Sequence, residues 1–217
     1  MKTVEQAWHD ISLPAEQRVA ALMDEMTLEE KAAQLGSFWI RPEEERHDGE
    51  ANVAPMADTF SASPSFEDAI KDGLGHITRA FGTIPLAPAE GRQRLVELQE
   101  QVITANRLGI PAIAHEECLT GFTTLGATCY PASIAWGATF NPELIGGMAR
   151  RIGADMLKMG VHQGLSPVLD VARDYRWGRV EETMGEDPHL VGELAVAYVR
   201  GLQDSGVHAT LKHFAGY

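Results

Sequence analysis

The chain has 217 residues, and 18 Lys and Arg against 31 Asp and Glu give it a formal charge of −13 with neutral histidines. That charge opposes any surface built to track a phosphate backbone or an anionic membrane, so neither nucleic acid nor membrane is an expected partner. Hydrophobic residues at 44% and charged residues at 23% exclude a disordered, collagenous or membrane-spanning chain.

The N-terminus, MKTVEQAWHD, lacks the apolar run that a secretory signal requires, which predicts a cytoplasmic protein. Thr27-Leu-Glu-Glu30 has capping-box spacing, in which the Thr hydroxyl and the Glu carboxylate satisfy each other's free main-chain donors. It separates two predicted helices, at about 15–26 and 28–36. Residues 41–65 are acidic and dotted with Pro and Ser, and read as a long loop. No Ser/Gly/Pro-rich linker divides the rest into separate domains.

From residue 75 the chain repeats a rhythm of apolar run, polar loop and amphipathic helix. GHITRAF at 75–81 reads as a strand, followed by a helix over about 89–108. Its Leu95, Val96, Leu98, Val102 and Ile103 are expected near one face, with Gly109 as the stop. IPAIA at 110–114 is the next strand. Asn141-Pro142-Glu143 then supplies an N-cap, a proline at the first helical position and an early acid, opening a helix to about Gly160. GLSPVLDV at 164–171 is the third strand, and Asp187-Pro188 caps a helix that ends near Gly206. HATLKHF at 208–214 is the fourth.

Such alternation predicts parallel strands with crossover helices, as a (β/α) barrel or a doubly wound sheet, with chemistry at the C-terminal strand ends. No Gly-x-Gly-x-x-Gly or Walker pattern follows any strand, which favours the barrel and points to no nucleotide cofactor. A closed barrel takes eight strand–helix units. About four are legible, so the fold class is α/β: the N-terminal half of a (β/α)8 TIM-like barrel, preceded by N-terminal helices. The remainder is expected from a missing C-terminal part or from another chain.

The histidines have neither HExxH nor His-x-His spacing, and Cys118 and Cys129 form no CxxC, so no metal site is expected. Glu116, Glu117, Asp170, Asp174, Glu181 and Glu182 all fall in loops that should converge at one rim. Sugar hydrolysis requires two carboxyl groups across the scissile bond, and a pair could be drawn from this set. The alternative is that most of them cap helices or pair with Arg173, Arg176 and Arg179. In Arg173–Arg179, three arginines and Trp177 offer forked donors and a flat face suited to hydroxyl-rich rings, and equally suited to a salt-bridge knot. Lys212 and His213 follow an apolar strand; as strand neighbours they would face opposite ways unless the backbone departs from regular geometry.

HEECLTGF (115–122), YPASIAWGATFNPEL (130–144), SPVLDVARDYRWGRVEETMGEDP (166–188) and ATLKHFAGY (209–217) resemble the N-terminal barrel domain of family 3 glycoside hydrolases. MTLEEKAAQL (26–35) resembles that family's opening helix. The resemblance covers nearly the whole of 1–217 and implies a partial barrel domain of a retaining exo-β-glucosidase or β-xylosidase, acting on an oligosaccharide or β-glycoside. Carried over by position, it implies substrate-binding roles for Glu117, Arg179, Lys212 and His213 at the non-reducing-end sugar. In several members the Lys–His pair is joined by non-proline cis peptides, which is the expectation here. No residue of the chain is implied as catalytic: the family's Asp nucleophile and general acid belong to later segments, beyond Tyr217. Thr120 stands where the family usually has His, and Tyr175 where Pro is common. Glu117 stands where glucosidases often carry the shorter Asp, and its extra methylene would occupy the space of a hexose hydroxymethyl group, favouring a pentose. A non-catalytic sugar-binding half-barrel or scaffold is the rival reading.

Overall fold

The computed structural model describes residues 7–39, 65–83, 85–214 and 216. Five strands form one sheet in the order β1 (Ser37–Trp39), β2 (His76–Thr78), β3 (Ile113–Glu116), β4 (Gln163–Gly164) and β5 (His208–Ala209), every neighbouring pair parallel. Sequential order without a reversal is the arrangement of a barrel, whereas a doubly wound sheet changes direction at a switch point.

The helices are α1 (Ala15–Glu25), α2 (Leu28–Ala33), α3 (Phe66–Ile70), α4 (Pro88–Ala105), α5 (Ser133–Gly137), α6 (Pro142–Lys158) and α7 (Pro188–Asp204). The capping box is complete: the Glu30 amide donates to Thr27 Oγ1 at 3.2 Å, and the Thr27 amide to Glu30 Oε2 at 2.9 Å. Asn141 and Asp187 cap α6 and α7 by accepting from amides two or three residues on. In α4, Leu95, Leu98 and Val102 are buried, but Val96 and Ile103 are exposed; they lie about 100° off the buried line, outside the expected stripe.

Several strands are shorter or later than their apolar runs suggested. β3 begins at Ile113, because its pairing with β2 starts at His76↔Ile113, and it continues to Glu116. The run at 164–171 supplies only Gly164 to β4; a cis Ser166–Pro167 bond follows, and Val168 meets only Lys212 in an isolated bridge. Only His208 and Ala209 of 208–214 are laddered. β1, α3 and α5 had no predicted counterpart. The loop read at 41–65 lies outside the described residues except for Ser65, which caps α3 through its side chain.

Alternation along the strands sorts the two faces. Ile77, Ala114 and Gly164 face the helices and are buried, whereas His76, Thr78, His115 and Gln163 occupy the opposite, inward row. Behind the sheet α6 packs on α7, with Gly201 so close to α6 that an added Cβ would lie 2.3 Å from the Gly146 carbonyl oxygen. Ile145, Ile152, Met156, Leu194, Tyr198 and Leu202 fill the interface region, and Trp136 stacks on Tyr198 at 5.4 Å between ring centroids.

Candidate active site

The C-terminal ends of β3, β4 and β5 bring together residues from three stretches of sequence. Glu117 follows β3, and its Oε2 lies 3.4 Å from Lys212 Nζ. Lys212 is held through its main chain: its carbonyl accepts from Leu169 at 2.7 Å and its amide donates to Pro167 at 3.3 Å. The Lys212–His213 peptide is cis, as expected. Both side chains reach partners on the sheet rim, Lys212 at Glu117 and His213 at Asp170, with His213 Nδ1 2.7 Å from Asp170 Oδ2. A carboxylate at Nδ1 selects the tautomer with the proton on that nitrogen.

Arg179 opens a 3-10 turn, Val180–Glu182, and donates from Nε and Nη2 to the two carboxylate oxygens of Glu182 at 2.6 and 2.7 Å. This fork lowers the Glu182 pKa, and the positive fields of Lys212 and His213 act in the same direction, so the Arg179 pair borders the Lys212 site. Glu117, Arg179, Lys212 and His213 are therefore gathered on one rim, each partly accessible. The arrangement offers an acceptor at Glu117, ammonium donors at Lys212, an imidazole nitrogen and a guanidinium, a set suited to several hydroxyl groups of one ring.

The other acids of the set have separate surroundings. Asp174 is a surface partner of Arg176, which lowers its pKa through hydrogen bonds, and Glu181 is exposed. Glu116 is 1% exposed, and its Oε1 accepts from the Phe81 and Gly82 amides at 2.6 and 3.3 Å. Burial pushes its carboxyl up to about 7 despite those amides and the nearby Arg79. Such a value flags many functional acids, but this carboxyl group lies beneath the surface of the described residues. His115 is drawn down to about 4 by burial and by His76, whose Nδ1 is 3.3 Å from its own. Asp170 and Glu182, which hold His213 and Arg179, stood undifferentiated among the rim acids in the sequence. The i,i+3 spacing of Arg179 and Glu182 was a usable signal; nothing in sequence links Asp170 to His213.

Two cavities are lined by residues other than the four rim residues. One of about 600 Å³ is bounded by α5 and α6, including Trp136, Leu144 and Arg151; the other, about 380 Å³, is bounded by loops after β2 and β3, including Gly82, Thr120 and Phe122. The described residues contain no group of three or more His, Cys, Asp or Glu that could hold a metal ion.

Residues 27–217 match the family described as Glycosyl hydrolase family 3 N terminal domain. A β-xylosidase of Formosa agariphila is 40% identical over 139 residues, 58% of this chain and 19% of that protein. A periplasmic β-glucosidase/β-xylosidase of Dickeya chrysanthemi is 28% identical over 97% of this chain and 33% of its own length. A solved β-glucosidase from Erythrobacter marinus superposes with a TM-score of 0.78 at 31% identity, over 98% of this chain and 27% of that one. The chain thus spans one third or less of each of these relatives.

Proposed function

The chain belongs to glycosyl hydrolase family 3, and on that premise we propose that it holds the glycone half of the active site of a retaining exo-β-glycosidase. The substrate in this reading is a terminal β-linked xylose or glucose on an oligosaccharide or glycoside. The observation that carries it is the convergence of Glu117, Lys212, His213 and Arg179 from β3, β5 and the 173–182 loop onto one rim. Their work is orientation: Lys212 and Arg179 donate to ring hydroxyls, Glu117 accepts, and contacts that tighten in the transition state lower the barrier.

In a retaining reaction a carboxylate attacks the anomeric carbon, a glycosyl-enzyme forms, and water releases the sugar with its configuration preserved. Apart from the exposed Glu181, the rim acids described above are paired or buried, and this reading assigns the nucleophilic Asp and the general acid to polypeptide following Tyr217. The relatives' greater length is compatible with that assignment. Glu117 and the likeness to a β-xylosidase favour xylose over glucose.

Assay of the complete polypeptide and of the 217-residue chain on nitrophenyl β-xyloside and β-glucoside tests the reading. The complete protein should turn over both, the xyloside faster, and the shorter chain neither. Robust turnover by the 217-residue chain alone would place the nucleophile within it. Saturable xylose binding by the complete protein with no turnover would favour a non-catalytic sugar-binding protein.

A further inference from the structure

We propose that Glu116 is a positioning residue that fixes its neighbour Glu117 and thereby sets the discrimination between a pentose and a hexose at the glycone site. The inference rests on the sugar-binding role proposed for Glu117 and adds a residue that touches no sugar.

Glu117 is weakly held by its own side chain. Its Lys212 contact, at 3.4 Å, is long for a charge-assisted bond, and its carbonyl accepts one amide, from Thr123 at 3.0 Å. The firm attachment lies one residue earlier. After β2 the ladder continues with Arg79 donating to the His115 carbonyl at 3.1 Å, and Arg79 then takes a left-handed φ of 52°. That conformation is unfavourable for a non-glycine residue, and here it turns the loop so that the Phe81 and Gly82 amides return to Glu116 Oε1.

The second oxygen is enclosed. Glu116 Oε2 is buried without a hydrogen bond among the described residues, as is Arg79 Nε. A Cβ built on Gly82 would lie 3.0 Å from Glu116 Oε2 and 3.3 Å from Arg79 Nε, so any side chain at Gly82 would crowd both groups. The Glu117 amide bears on the same carboxylate and favours its ionised form without reaching hydrogen-bond geometry. The β2 loop therefore grips the residue whose peptide carries Glu117, and the Glu117 carboxylate inherits its place from that grip. A carboxylate that guards the space of one hydroxymethyl group discriminates only while it stays put.

The test compares kcat/KM for nitrophenyl β-xyloside and β-glucoside in the complete protein and three variants. Glu116→Gln keeps an acceptor for Phe81 and Gly82 but turns donors towards Arg79 and the Glu117 amide. Gly82→Ala presses on Glu116 Oε2 from the other side and keeps the inference testable should the Gln variant not fold. Each should lower the xyloside-to-glucoside ratio about tenfold, chiefly through KM for the xyloside, with kcat changed less than about threefold. An unchanged ratio in the folded variants, beside a changed ratio in Glu117→Ala, overturns the positioning role. An unchanged ratio in Glu117→Ala as well overturns the glycone reading itself.

Discussion

The two sides of the sheet are wired differently. From β1 to β3 the strands pair over three residues each, and the loop after β2 is tied down by main-chain amides on a buried carboxyl group. From β3 to β5 the pairing covers two residues each, and beyond it, besides the main-chain bonds of Lys212, the rim depends on side chains meeting side chains: Lys212 on Glu117, His213 on Asp170, Arg179 on Glu182. Main-chain wiring is stiff and tolerates little change in the buried group it uses. Side-chain wiring presents several donors to a ligand, and its loss should register in binding before it registers in stability.

The sharpest way to break this contrast is Arg179→Ala in the complete protein, which removes a forked donor and leaves Glu182 without its partner. A fall in kcat/KM of about 100-fold is expected, with little change in Tm. Unchanged kinetics and a lowered Tm would make the pair a structural knot and the two sides alike.

On the stiff side the expected signature is in stability against pH. Folded Glu116 keeps its proton up to about 7, whereas the unfolded group releases it near 4.5, so its contribution falls as pH rises from 4.5 to 7. Folded His115 stays neutral down to about 4, whereas the unfolded group gains a proton near 6.5, so its contribution falls as pH drops through that window. The two slopes oppose each other between pH 4.5 and 6.5. Glu116→Gln abolishes the first, so relative to wild type the variant should gain about 2–3 kcal/mol across that window. Urea unfolding at several pH values reads it; parallel curves would show that the Glu116 carboxyl is ionised in the fold.

The smallest effect is expected far from both sides. Thr27→Ala removes half of the capping box at α2 and should cost about 1 kcal/mol, or roughly 2–4 °C in Tm for a chain of this size, with kcat/KM unchanged. A kinetic effect there would mean that the entry to the sheet is coupled to the rim.

Much of this was legible along the chain because it is local. The capping box at Thr27 and the caps at Asn141 and Asp187 act over two or three residues, and all three hold. The order of strands and helices followed from apolar runs alternating with amphipathic periods. The strand limits did not, since a run such as GLSPVLDV is apolar whether it ladders or merely fills space. Only neighbouring strands decide that β4 is Gln163–Gly164 and that three residues at Ser37–Trp39 form β1.

The adjacent acids Glu116 and Glu117 draw the boundary most sharply. By itself the sequence determined that two carboxylates stand at the end of a strand in a (β/α) repeat, beside motifs of a sugar-cleaving family. Tertiary structure alone decided that the first turns under the β2 loop, buried among main-chain amides, and that the second faces Lys212 from the segment after β5. Successive strand side chains point to opposite faces, and what lies on each face is set by segments tens of residues away.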